Sequence, residues 1–90
     1  MAANFQISMD RKKTRIVISP AGTLDGSSAC ELAQALQAQA GKKVVVHLDT
    51  DRLRHVSPFG ASVLSSRLDK MRSGFRDLTV TGAHAEALAG

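Results

Sequence analysis

Apolar and polar positions alternate strictly at the start of the chain and shift to helical spacing twice further on. Phe5, Ile7 and Met9 alternate with Gln6, Ser8 and Asp10, the pattern of a strand buried on one side. A charged turn is expected over Asp10–Lys13, followed by a second strand through Ile16, Val17 and Ile18 that Pro20, Ala21 and Gly22 end. So short a connection makes an antiparallel hairpin. Asp25, Gly26, Ser27 and Ser28 then open a helix, and Ser28 with Glu31 has the spacing of a capping box. Leu32, Ala33, Leu36 and Ala40 give this helix one apolar stripe, Gln34, Gln37 and Gln39 point elsewhere, and Gly41 is its stop.

The run Val44, Val45 and Val46, continuing to Leu48, reads as a central strand covered on both faces, stopped near Asp49, Thr50 and Asp51. Ser57 and Pro58 open the second helix, serine as N-cap and proline at the first helical position, where its missing N–H costs nothing. Ala61, Leu64, Leu68 and Met71 lie on its apolar side, while Arg67, Asp69, Lys70 and Arg72 cover the other. Gly74 ends it, Leu78 to Thr81 form a fourth strand, and Ala83 to Ala89 begin a helix that stops short, or is cut short, at Gly90. The order of elements predicts an α/β domain with a mixed sheet of about four strands. It comprises an N-terminal hairpin followed by right-handed βαβ units, with helices mainly on one face.

Composition narrows the chemistry. Ninety residues amount to a single domain over 1–90, since domains typically run about 100–150 residues. With three phenylalanines and no tryptophan or tyrosine, the core must be aliphatic, and stacking on nucleobases has little support. A formal charge of +4 leaves a basic nucleic-acid-binding domain as one alternative, but the cations fall in four separate groups with no aromatics between them. No apolar run reaches the length of a membrane span, and no signal-peptide core is present, so a cytoplasmic protein not inserted in membranes is expected. The single cysteine, Cys30, excludes an internal disulfide and reads as a small buried helix residue.

Catalytic constellations are wanting. His47, His55 and His84 match no compact metal motif, and Asp49 with Asp51 marks the end of a strand as readily as a carboxylate pair. The glycines form no phosphate cradle. Neither an enzyme, nor a metal, nor a cofactor is expected. What remains is the helix start Ser57-Pro58-Phe59-Gly60, whose free N–H groups and dipole favour negative charge. By spacing alone, Phe59 there is either a core residue or an exposed anchor.

Two local sequences, in this order of elements, resemble the STAS family, the domain of sulfate transporters and anti-sigma-factor antagonists. Gly22-Thr23-Leu24-Asp25 is similar to the family's G-x-L-D between a strand and the first helix. Val44 to Asp49, then Leu53, then Ser57 to Leu64 resembles its central strand, loop and D-S-S/T-G-L-x-x-L helix start, and Leu78 to Gly82 resembles its next strand. The resemblance implies a non-enzymatic protein-interaction module in a bacterial partner-switching system that regulates transcription. Its partner would be a kinase-like anti-sigma factor, met through Asp25, Ser57, Pro58, Phe59, Gly60 and Ser62. The alternative within the fold is a STAS subunit on the cytoplasmic face of a lipid-trafficking ABC transporter, bound to its ATPase. Aligned on Gly60, Phe59 stands where family members carry the phosphoacceptor, so the usual phosphorylation switch is not expected; Ser57 is the nearest hydroxyl left to take a phosphate.

Overall fold

A computed structural model describes residues 4–89. The elements run β1 (Phe5–Lys12), β2 (Arg15–Leu24), α1 (Gly26–Gln37), β3 (Val45–Asp49), β4 (Leu53–Val56), α2 (Pro58–Met71), a 3-10 turn (Arg72–Gly74), β5 (Asp77–Thr81) and α3 (Ala85–Ala89). The sheet is mixed and has five strands in the order β1-β2-β3-β5, with β4 also paired to β2. Only β1 with β2 is antiparallel; β2 with β3, β2 with β4 and β3 with β5 are parallel. The α/β architecture expected from the periodicity is the one found.

Alternate residues of the sheet supply the core. Ile16, Ile18 and Leu24 of β2, Val46 and Leu48 of β3 and Leu78 of β5 are buried with Leu32 and Leu36 of α1, Leu64 and Leu68 of α2 and Leu88 of α3. Each such side chain contributes about 1.5–3 kcal/mol on leaving water, and the core is not wholly aliphatic as expected: Phe5 and Phe75 are buried in it. Val17, Val45, His47 and Thr81, on the opposite face, are only half-buried. The valine run is therefore covered on one face, not two: the helices lie on a single side of the sheet, and Val44 is buried just before the strand begins.

Four further expectations are corrected. The hairpin turn is Lys13-Thr14, with Lys13 at a φ of 45°, and Asp10 to Lys12 remain in β1, paired with Val17 to Arg15. Strand β2 does not end at Pro20 but runs on to Leu24. Gly22 donates its N–H to Arg52 O, so Pro20, two residues earlier, turns its nitrogen to the same edge. There the pairing with β3 stops at Ile18 and that with β4 starts at Gly22, so no partner asks for the missing donor. The α1 cap is Asp25 rather than Ser28, and the reciprocal box joins Asp25 to Ser28 rather than Ser28 to Glu31. Gln39 is buried, not outward-pointing, and its Oε1 accepts from the Arg11 guanidinium at 2.7 Å.

Strand β4 is the element that the periodicity misses. Leu53 pairs with Gly22 and His55 with Thr23, so Arg54 is the extra residue of a bulge. The bulge puts Leu53 and Val56 on the same face although they are three positions apart. His55, expected in a loop, is a strand residue.

Candidate functional site

The two helices enter side by side. Helix α1 follows β2 and α2 follows β4, and β2 and β4 are parallel neighbours, so both N-termini open at the same end of the domain. Ser57 ties the second entrance to the first: its N–H donates to Leu24 O at 2.9 Å, and its hydroxyl accepts from Gly60 N–H at 2.9 Å. Serine as N-cap with proline at the first helical position is the arrangement expected from the sequence.

Gly60 explains how closely the two junctions meet. A Cβ at that position would lie 2.6 Å from Leu24 O and 2.9 Å from the Asp25 Cα, so only glycine lets α2 rest on the backbone between β2 and α1. Asp25 and the Ser57–Gly60 segment, distant in sequence, become one surface. Its Asp25 carboxyl is held below the usual carboxylate range, chiefly because the Ser28 backbone N–H donates to it, and then because the Ser28 hydroxyl lies 3.0 Å from the same oxygen. Ser62 is exposed on the next turn of α2.

Phe59 is not a core residue. It is 70% exposed, and its ring lies across Gly26: a Cβ on Gly26 would fall 2.6 Å from its Cε2. One edge of the ring, Cδ2 and Cε2, abuts the start of α1 and the rest meets solvent. Gly26 is the contributor that sequence reasoning did not single out. Its one signal was a glycine directly after the N-cap position, where a side chain would ordinarily be tolerated.

The residues weighed for other chemistry lie elsewhere. Cys30, expected to be buried, is half-buried on α1. His47 Nε2 is 2.8 Å from Thr81 Oγ1 on the open face of the sheet, and His84 Nε2 is 2.9 Å from Leu53 O. Asp49 Oδ1 accepts from Asp51 N–H and Asp51 Oδ1 from Ala83 N–H, so both carboxylates serve loop geometry. Among the described residues no three metal-ligating side chains converge, and no helix is long and apolar enough to cross a membrane.

No protein-family model matches the sequence, and no curated protein does. Solved structures do. An anti-sigma factor antagonist from Mycobacterium paratuberculosis superposes with a TM-score of 0.71 at 18% identity, over 90% of this chain and 70% of that one. The STAS domain of an antisigma-factor antagonist from Rhodobacter sphaeroides gives 0.64 at 17% identity, over 98% and 94%. An uncharacterized protein from Shewanella loihica with a SpoIIAA-like fold gives 0.64 at 21%, over 92% and 73%. The fold is that of a STAS domain. In this STAS-like domain the two stretches that resemble family motifs, Gly22 to Asp25 and Ser57 to Leu64, are the two that meet at Gly60. Phe59, 70% exposed, stands at their junction.

Proposed function

We propose that this STAS-like domain is a non-enzymatic interaction module, of the anti-sigma-factor-antagonist kind, in bacterial partner switching. It docks a protein partner on the surface of Asp25, Ser57, Pro58, Phe59 and Ser62, with Gly60 buried beneath them as the packing point, and it does so without a phosphate switch. The observation that carries this reading is the exposure of Phe59, a ring held on Gly26 at the junction of two helix entrances. An aromatic fixed in solvent has little conformational entropy left to lose on binding, and such anchors dominate interface energies. The anti-sigma antagonists among the structural neighbours support the class of partner, a kinase-like anti-sigma factor. A cytoplasmic setting follows from such a partner. Ser57 uses its oxygen as the cap of α2 and is poorly placed to meet a kinase.

Phe59→Ala is expected to weaken the partner complex by about 1–3 kcal/mol while leaving the fold intact, read by titration calorimetry beside a thermal melt. Unchanged affinity refutes the docking surface. Incubation with the kinase-like partner and ATP, followed by intact mass, is expected to show no adduct. A stoichiometric phosphate on Ser57 would overturn the constitutive reading.

A further inference from the structure

The contact of Phe59 with Gly26 is the upper end of a longer feature. Helices α1 and α2 follow parallel strands on one face of the sheet and therefore run side by side in the same direction. One sequence displacement relates Gly26 to Phe59, Gln34 to Arg67 and Gln37 to Lys70. The first pair is in contact, and the other two line a single groove of about 420 Å³, with Ala33 and Met71 as its buried floor. At 1.5 Å per residue, Phe59 and Lys70 mark out a straight seam of about 16 Å.

The charged side chains that line the groove have one sign, while the Asp25 carboxylate stands at the Phe59 end. Arg67 and Lys70 are exposed cations one turn apart, and facing them across the groove are the amides of Gln34 and Gln37. Glu31, the acidic residue of α1, is absent from the groove lining and faces a hollow with Phe5, Gln6, Ile7 and Ser8 of β1, in which Gln34 also takes part. An occupant complementary to this surface is apolar at the Phe59 end and anionic two to three turns farther on. Carboxylates one turn apart on a facing helix are about 5–6 Å apart, the separation of Arg67 and Lys70 themselves. A nucleic acid would ask for cations along the whole track and for stacking partners, and the seam has two cations and one ring.

We propose that the α1–α2 seam is a docking groove for an acidic amphipathic helix of the protein partner, its apolar end on Phe59 and its carboxylates at Arg67 and Lys70. This rests on the interaction-module reading and names the chemistry of the partner segment. It is helix-in-groove recognition, with the ring fixing position and the cations fixing register.

The test is a charge swap. The probe is a synthetic amphipathic helix with a leucine at one end and two glutamates one turn apart farther along, followed by fluorescence anisotropy at low salt. Arg67→Glu with Lys70→Glu is expected to lower its affinity about ten-fold, and a peptide carrying lysines in place of the glutamates to recover that loss. Both substituted residues are exposed, and a circular dichroism melt checks that the variant is folded. Equal binding to wild type and variant, or displacement of the peptide by an equal concentration of duplex DNA, overturns the proposal. With the kinase-like partner the two readings separate. If Phe59→Ala abolishes binding and the charge reversal does not, the seam proposal falls and the module stands; if neither matters, both fall.

Discussion

The two helix entrances perform the same task by different means. At α1, Asp25 and Ser28 close on each other: Ser28 N–H donates to Asp25 Oδ1 at 2.9 Å, Asp25 N–H donates to the Ser28 hydroxyl at 2.7 Å, and that hydroxyl donates to Thr23 O at 2.8 Å. Ser28 is fully buried. At α2, one hydroxyl caps one N–H, proline removes another donor, and the residue that follows is turned out into water. The first entrance spends its side chains on the fold. The second satisfies its backbone with the fewest groups that suffice and leaves an aromatic ring on the surface. An aromatic kept out of the core of a chain with three is hard to attribute to stability.

That contrast can be broken in order of size. Gly60→Ala is expected to destabilise by about 2–3 kcal/mol in urea unfolding, because the new Cβ meets backbone that cannot yield, and the better helix propensity of alanine does not compensate. Ser28→Ala, which removes the acceptor of the Asp25 N–H and a donor to Thr23 O, is expected to cost about 1–2 kcal/mol. Ser57→Ala is expected to cost about 1 kcal/mol, less than Ser28→Ala because a single bond is lost. If the two serines rank the other way, the description of α1 as the closed entrance is wrong.

Acid provides a finer probe. The Asp25 carboxyl has a depressed pKa in the fold, so its contribution is complete above its unfolded pKa of about 3.9 and is lost as pH falls through the lower folded value. Asp25→Asn keeps a good cap and is expected to match wild type near neutrality while flattening the acid limb of the stability curve. A carbon-detected NMR titration showing Asp25 at the ordinary carboxylate value would contradict this. The smallest effect belongs to Phe59→Ala, expected within about 0.5 kcal/mol of wild type in stability, since a residue that is 70% exposed has little burial to lose. A large loss there would make Phe59 a structural residue.

Much of the fold was legible in the sequence because burial on one face enforces a regular period. The stripe Leu64-Leu68-Met71 reports one neighbour on one side, whereas the alternation Phe5-Ile7-Met9 holds only at its start: Phe5 is buried, Ile7 half-buried and Met9 43% exposed, because the outer half of β1 runs past the helices. The chain was opaque where the period breaks. The bulge at Arg54 sets Leu53 and Val56 three apart, which hides β4, and Pro20 reads as a terminator until the unpaired edge beside it is known. The α1 cap is ambiguous in the sequence because Ser28 with Glu31 and Asp25 with Ser28 have the same three-residue spacing; the first pair has the commoner residue types, and the second forms the box that exists. At the site, Ser57 and Pro58 were readable as local capping signals. Gly26 was not, since what it supports is a ring that only the parallel approach of the two helices brings to it.

The gap at Pro20 also bears on how the domain opens. Strand β4 pairs with β2 only from Gly22 to Leu24, beyond the point where β3 lets go, and only Ser57 separates the end of β4 from the start of α2. Local fluctuations that detach β4 therefore leave the β2–β3–β5 ladder in place and move the start of α2 with them. In hydrogen exchange, the amides of Leu53 to Val56 should lose protection well before those of Val46 and Leu48. The ring of Phe59 stands three residues beyond this short strand, and a partner that holds the ring still is expected to slow exchange along that edge as well.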